Sequence, residues 1–71
     1  MTEDQLIGGR IRELRMAADL LQSELAERLG VTVRTLGRYD RGDRAFPATL
    51  IRPLAEAVGL TPRDCAATIW P

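Results

Sequence analysis

The chain has 71 residues with ten basic and ten acidic side chains, so its formal net charge is zero and one small domain is expected. It contains one cysteine and no histidine, which excludes an internal disulfide and disfavours a zinc site or an activated catalytic nucleophile. No catalytic residue, metal ligand or cofactor is therefore predicted. The polar N-terminus and the absence of an apolar run near the roughly 20 residues that span a bilayer predict a cytoplasmic protein.

The positive charge is concentrated in the middle of the chain. Residues 32–52 carry five arginines against two aspartates, whereas segments 1–31 and 53–71 are both net negative. All ten basic residues are arginine, whose planar guanidinium matches phosphates and guanine edges, although codon bias in a GC-rich genome is an alternative explanation. The distribution nevertheless indicates which segment would meet a polyanion.

Helices are predicted throughout, because apolar residues recur at spacings of three and four and never alternate. The first helix is predicted over residues 5–18, after a flexible terminus at residues 1–5. Gly8 and Gly9 fall in its first turns, where each costs about 1 kcal/mol relative to alanine. The alternative interpretation is that the glycine pair lets another backbone approach closely.

Two short helices follow, joined by a tight turn. The second helix is predicted over residues 22–29 and ends at Gly30, which tolerates a left-handed conformation. The third is predicted over residues 33–41, with Thr32 as its N-cap and Gly42 as its C-terminal stop. Two helices joined by a turn of about four residues form a helix-turn-helix.

The C-terminal third predicts two further helices, which makes an all-α domain of five. A loop over residues 43–47 precedes the fourth helix, predicted over residues 48–58. This helix tolerates Pro53 only if the proline lies in its first turn. The fifth helix is predicted to begin with Thr61 as N-cap and Pro62 at the first position, and to reach the chain end.

The third helix has an apolar side and a polar side. The apolar side carries Leu36 and Tyr39 and is expected to pack on the second helix. The opposite side carries Val33, Arg34, Gly37, Arg38 and Arg41. One arginine alone would be interpreted as solvated surface, but three on the face that this motif presents to DNA favour a binding surface.

Three segments carry a family pattern: IRELR, then LQSELAERLGVTVRTLGRYDRG, then LIRPLAEAVGL. They resemble the lambda-repressor and Cro-like helix-turn-helix proteins, also called the xenobiotic-response-element type. The resemblance covers residues 8–64 and is greatest to N-terminal DNA-binding modules of larger actinobacterial regulators. It implies a compact five-helix domain over residues 1–71, double-stranded DNA as partner, and regulation of transcription, of repressor type.

The resemblance also implies roles for individual residues. Gln22 would bind a DNA phosphate beside the free N–H groups of its helix end. The positions that face the major groove are Thr32, Val33, Arg34, Gly37 and Arg38. The two arginines suit guanine, Val33 suits a thymine methyl, and Gly37 offers no side chain but lets the backbone sit deeper in the groove. Further phosphate contacts are expected from Arg41 and Arg44. Arg15 and Asp40 would form a structural ion pair between the first and third helices.

Three departures from the family pattern weaken the implied DNA contact. Leu21 stands where the family has a serine N-cap, so Asp19 is the remaining candidate cap. Gly37 interrupts the third helix, which is the recognition helix of the motif, and Asp43 would repel DNA. Weak binding by a monomer predicts a homodimer, formed through Ile69 and Trp70 or through residues beyond Pro71. Trp70 has an equally good alternative role as a cover over the domain's own core.

The second function class is a helix-turn-helix scaffold for protein contacts, such as an antitoxin-like or adaptor domain. The zero net charge, Gly37 and Asp43 favour it. An enzyme is the third function class, but the sequence contains no acid–base pair and no nucleophile–base set.

Overall fold

Five α-helices and one 3-10 turn make up the structure, a computed structural model that describes residues 1–71. The helices are α1 (Glu3–Ala17), α2 (Gln22–Leu29), α3 (Val33–Arg41), α4 (Ile51–Val58) and α5 (Pro62–Ile69), and the 3-10 turn is Ala48–Leu50. No strand is present, so the predicted all-α, five-helix architecture is confirmed. None of these helices is long and apolar enough to span a membrane.

The first helix begins earlier than the predicted start at residue 5. Thr2 Oγ1 accepts from the Gln5 backbone N–H at 3.1 Å, and Gln5 Oε1 accepts from the Thr2 N–H at 2.8 Å. This reciprocal pair is a capping box, and Glu3 and Asp4 favour the positive end of the helix dipole. Residues 3–5 therefore form the first turn of α1 rather than part of a flexible terminus.

The backbones of α1 and α3 approach most closely at Gly8. A Cβ built there would overlap the carbonyl oxygen of Tyr39 and lie 2.5 Å from that of Asp40, whereas a Cβ at Gly9 meets nothing within 4 Å. The predicted close approach is thus confirmed for Gly8 and not for Gly9. Because α1 lies directly on the C-terminal half of α3, it holds that helix at a fixed angle to the rest of the domain.

One hydrophobic core joins all five helices. Its buried members are Ile7, Ile11, Leu25, Ala26, Leu29, Leu36, Tyr39, Phe46, Leu54, Ala55, Cys65 and Ile69. The Phe46 ring lies edge-on to Tyr39, with centroids 5.4 Å apart, and 6.3 Å from Trp70. Trp70 is half-buried against this core, which supports its role as a cover of the domain.

Ile69 lies in the core rather than on a dimer surface, so its predicted role as a dimer contact is wrong. The side chain is fully buried. It follows Cys65 by one helical turn on the inward side of α5, and the two side chains share that buried face. Any contact with a second copy must therefore use other residues.

The fourth predicted helix is divided at its start. Residues 48–50 form the 3-10 turn, and α4 follows from Ile51, which places Pro53 in its first turn as the sequence required. Thr61 Oγ1 accepts from the Asp64 N–H at 3.1 Å, and Pro62 opens α5 as predicted.

Candidate nucleic-acid interface

The helix-turn-helix is formed by α2 and α3, whose bounds match the predicted ones. Gly30 ends α2 in a left-handed conformation, with φ of 71°, and the Val31 N–H donates to the Ala26 carbonyl at 3.0 Å. The small side chain of Ala26 is buried, which lets α3 pack closely at that level. Leu36 and Tyr39 are buried as well, so the opposite side of α3 is left facing away from the core.

The outward side of α3 presents few free groups at its N-terminal end. Val33 is 46% exposed, Arg34 is exposed, and Arg38 is half-buried. The Thr32 hydroxyl accepts from the Thr35 N–H at 3.1 Å and donates to Thr35 Oγ1 at 3.1 Å. Thr32 is thus the predicted N-cap, and its hydroxyl already donates and accepts within the helix. Val33 and Arg34 are the side chains most available to a groove.

Gly37 is buried, which differs from the predicted exposed position on the outward side. The physical reason is its neighbour one turn later. The Nη1 atom of Arg41 lies 3.1 Å from the place that a Cβ of Gly37 would take, so the guanidinium covers the glycine. At this level of α3, the exposed surface is therefore formed by the Arg41 side chain and not by Gly37.

Arg41 and Asp43 form a salt bridge across the end of α3. The Arg41 Nε donates to Asp43 Oδ2 at 3.1 Å, and both side chains are about 60% exposed. Asp43 was expected to act as a free negative charge beside the phosphate-facing loop. In the structure this charge is paired, which removes one argument against DNA contact. Arg44, the other predicted phosphate ligand, is exposed.

The predicted ion pair between Arg15 and Asp40 is not formed. Arg15 Nη1 donates to the Leu20 carbonyl at 2.8 Å, and Asp40 Oδ2 accepts from Gln22 Nε2 at 3.1 Å. The Arg15 Nε and Asp40 Oδ1 atoms are buried without a hydrogen-bond partner. Each group has a nearer partner, because the loop after α1 offers a carbonyl and the start of α2 offers an amide. Asp40 therefore joins α3 to α2 rather than to α1.

A polar cleft of about 510 Å³ lies between α1, α2 and α3. Its lining residues are Arg12, Arg15, Gln22, Gly37, Asp40 and Arg41, and none is hydrophobic. Two predicted phosphate ligands, Gln22 and Arg41, thus meet at one place. Arg12 was not among the predicted site residues. The signal that would have found it is its spacing of three residues from Arg15, which puts both on one side of α1.

The N-terminus of α2 beside this cleft is not capped by a side chain. Leu21 has the extended backbone of an N-cap residue but no acceptor, and Asp19 does not replace it. Glu24 Oε1 accepts from the Leu21 N–H at 2.8 Å, which supplies only the second half of a capping box. The first N–H groups of α2 remain available to an external acceptor.

No group of three or more histidine, cysteine, aspartate or glutamate side chains is placed to hold a metal ion. Cys65 is fully buried, and desolvation raises the pKa of its thiol.

Residues 6–67 match the sequence model of a family described as helix-turn-helix domain. The chain therefore belongs to the helix-turn-helix domain family, within the Cro and C1 type that its sequence resembles. This is the class of protein that the two-helix motif and the five-helix core define.

Individual relatives agree with this family. The chain is 31% identical over 64 residues to an HTH-type transcriptional regulator, YazB, of Bacillus subtilis, covering 90% of this chain and 93% of that protein. It is 33% identical over 60 residues to a propionyl-CoA carboxylase regulator of Cereibacter sphaeroides, covering 84% of this chain. The chain spans only 13% of the length of that regulator.

Among solved structures, the fold is similar to the restriction-modification controller protein C.AhdI of Aeromonas hydrophila. The TM-score is 0.77 and the sequence identity is 35%, covering 87% of this chain and 94% of the other. The similarity therefore extends over nearly the whole of the controller protein.

Proposed function

We propose that this chain binds double-stranded DNA in a sequence-specific manner and serves as a transcription regulator, of repressor type, or as its DNA-binding module. The observation that carries the proposal is the outward side of α3. Its exposed Val33 and Arg34 and half-buried Arg38 face away from the core, and Arg41 follows them at the end of the same helix. A helix held in this way is the element that enters the major groove in helix-turn-helix proteins.

Each residue of this surface has a role in the proposed complex. Arg34 and Arg38 donate to O6 and N7 of guanines, and Val33 contacts a thymine methyl. Thr32 and Gly37 bring the α3 backbone close to the base edges. Gln22, Arg41 and Arg44 bind phosphates and set the orientation of α3 on the duplex. The relative that is named a transcriptional regulator supports regulation of transcription as the function of this surface.

A homodimer is part of the proposal, because one domain reads too few bases to be selective. Two copies would occupy half-sites about one helical turn, or ~34 Å, apart in the DNA. Ile69 is buried and contributes nothing to such a contact, which leaves Trp70 or segments beyond Pro71. A regulator of this kind works on cytoplasmic DNA.

The experiment is a selection of binding sites from random duplexes, followed by affinity measurements on the enriched sequence. Arg34→Ala and Arg38→Ala should each weaken binding to that sequence by roughly tenfold or more, since one bidentate guanine contact is worth ~1–3 kcal/mol. Arg63→Ala, an exposed arginine on α5, is the matched control and should leave affinity unchanged. Equal affinity for every duplex tested would overturn sequence-specific binding.

A protein-contact scaffold is the second candidate function. Met16 and Leu21 are 61% and 66% exposed at the two ends of the α1–α2 connection, and apolar side chains of this exposure suit a protein partner. A scaffold of this kind would bind no duplex at any salt concentration, which distinguishes it from the DNA-binding proposal.

A further inference from the structure

All the aromatic side chains of the chain lie in one row. The sequence contains one tyrosine, one phenylalanine and one tryptophan. The Tyr39 and Phe46 rings meet edge-on, at an interplanar angle of 82° with centroids 5.4 Å apart, and the Phe46 and Trp70 centroids are 6.3 Å apart. Aromatic rings attract each other at these separations, and an edge-on pair depends on the orientation of both rings. Tyr39, Phe46 and Trp70 form the aromatic row.

The inner end of the aromatic row lies behind the DNA-reading side of α3. Tyr39 follows Arg38, a proposed base-reading residue, and is buried on the inward side of the same helix. The Arg38 carbonyl accepts from the Asp43 N–H at 2.9 Å, which joins the end of α3 to the following loop. That loop carries Arg44 and Phe46. The position of the Phe46 ring therefore affects both the reading helix and a loop proposed to bind phosphate.

The outer end of the aromatic row is Trp70, which comes directly after α5. Its N–H donates to the Ala66 carbonyl at 3.0 Å, and its own backbone is extended, with φ −93° and ψ 133°. The Ile69 carbonyl accepts from Arg10 Nη1 of α1 at 3.5 Å. Because α5 packs mainly on α4 and α1, the row links the end of α5 to α3 through the loop between α3 and α4. The other two members are buried, whereas Trp70 is only half-buried and stays open to a contact.

We propose that the aromatic row couples the C-terminal end of the domain to DNA reading by α3. Protein interiors are close-packed and transmit strain, so a contact that moves Trp70 displaces Phe46 and, through Tyr39, the reading side of α3. Coupling between two sites is reciprocal, so DNA binding also changes the surroundings of Trp70. This regulation rests on the proposed function, because it acts on the grip of α3 on DNA. Trp70 is thus a positioning residue for DNA binding.

The first test observes the outer end of the row. Trp70 is the sole tryptophan, so tryptophan emission reports on this residue alone. The selected duplex should change that emission with the same midpoint as the binding curve from fluorescence anisotropy of a labelled duplex. In Phe46→Leu, which keeps an apolar side chain at the centre of the row, the duplex should still bind but the emission change should be lost.

The control for this test is an unrelated duplex at equal saturation, which is held by phosphate contacts alone and should leave the wild-type emission unchanged. A constant wild-type emission on the selected duplex, or an equal change in Phe46→Leu, would overturn the coupling.

The second test changes Trp70 and measures DNA affinity. Trp70→Ala should weaken binding to the selected duplex about fivefold, the lower end of typical couplings between distinct sites. Trp70→Phe keeps an aromatic ring and should recover most of the affinity. The matched control is Val58→Ala, which trims a partly buried side chain of α4 that packs on the same core outside the row. It should lower stability without changing affinity. Equal losses of affinity in Trp70→Ala and Val58→Ala would make Trp70 a cover of the core and nothing more.

A duplex with a single half-site separates the aromatic row from a dimer contact at Trp70. One copy of the domain occupies this duplex, so Trp70→Ala should lose as much affinity on it as on the full site. A loss confined to the full site would assign Trp70 to the contact between two copies and would overturn coupling within the domain.

Amide hydrogen exchange tests the row without DNA. The Gly42 and Asp43 N–H groups donate to carbonyls at the end of α3, and Trp70→Ala should speed their exchange more than Val58→Ala does. If the wild type binds no duplex, the proposed function fails, while faster exchange at these two amides would support the row as a link between α5 and α3. Equal exchange in the two variants would overturn that link.

Discussion

Gly8 and Gly9 are adjacent in α1 but face different surroundings. At Gly8 an added methyl would meet backbone carbonyl groups of α3, which cannot move without displacing that helix, whereas at Gly9 the space is open. We expect Gly8→Ala to lower the free energy of unfolding by about 3 kcal/mol, the cost of overpacking against a rigid neighbour. Gly9→Ala should raise it by about 1 kcal/mol through helix propensity. Urea denaturation of both variants measures the difference, and equal effects would contradict the close approach of α1 and α3.

Because of Cys65, the stability of the domain is expected to decrease at alkaline pH. Its thiol is fully buried, and desolvation raises its pKa above the ordinary value of 9.0. The folded state therefore prefers the protonated thiol. The contribution of the thiol to the free energy of unfolding is fully present below the pKa that the thiol has in the unfolded chain. It is lost as pH rises through the pKa that the thiol has in the folded protein.

We expect the urea midpoint of the wild type to fall, as pH rises above 9, more steeply than that of Cys65→Ala, which has no thiol to ionise. The other titrating groups are common to both proteins and cancel in the comparison. Parallel pH profiles for the two proteins would contradict the assigned effect of burial.

At the scale of the element, α2 begins without a side-chain cap, unlike α1, α3 and α5. Leu21 has N-cap geometry, with φ −73° and ψ 156°, but contributes no side-chain hydrogen bond and is 66% exposed. Leu21→Ser should therefore raise the free energy of unfolding by about 1 kcal/mol, while Thr61→Ala, which removes the cap of α5, should lower it by a similar amount. Thermal or urea denaturation provides both values. A destabilised Leu21→Ser would indicate that the leucine is held by apolar contacts instead.

The bounds of α2 and α3 were predictable because their signals are local. Gly30 and Gly42 stop the helices in left-handed conformations, and Thr32 caps the recognition helix from one residue before it. The start of α1 was missed although Thr2 and Gln5 have the three-residue spacing of a capping box. The sequence did not predict the division of the fourth helix into a 3-10 turn and α4 directly. It required only that Pro53 lie in the first turn of a helix.

For the molecule as a whole, net charge is a poor guide to DNA binding. The chain is neutral, yet Arg12, Arg15 and Arg41 share one cleft with a single carboxylate. If about five phosphates are contacted, the logarithm of the binding constant should fall with the logarithm of salt concentration with a slope near −4 to −5. Fluorescence anisotropy on the selected duplex measures this slope. Arg44→Gln should reduce its magnitude by about 1, and a slope near zero would point to a protein partner instead.

The sequence by itself determined the all-α class, the helix-turn-helix and the outward side of α3, because periodicity, caps and glycine stops act over a few neighbouring residues. Only the tertiary structure decided which side chains meet across helices. It paired Asp40 with Gln22 instead of Arg15, placed Gly37 beneath Arg41, and buried Ile69. These partners depend on the distance and angle at which α1 and α2 rest on α3. Backbone contact at Gly8 sets part of that angle, and no local pattern encodes it.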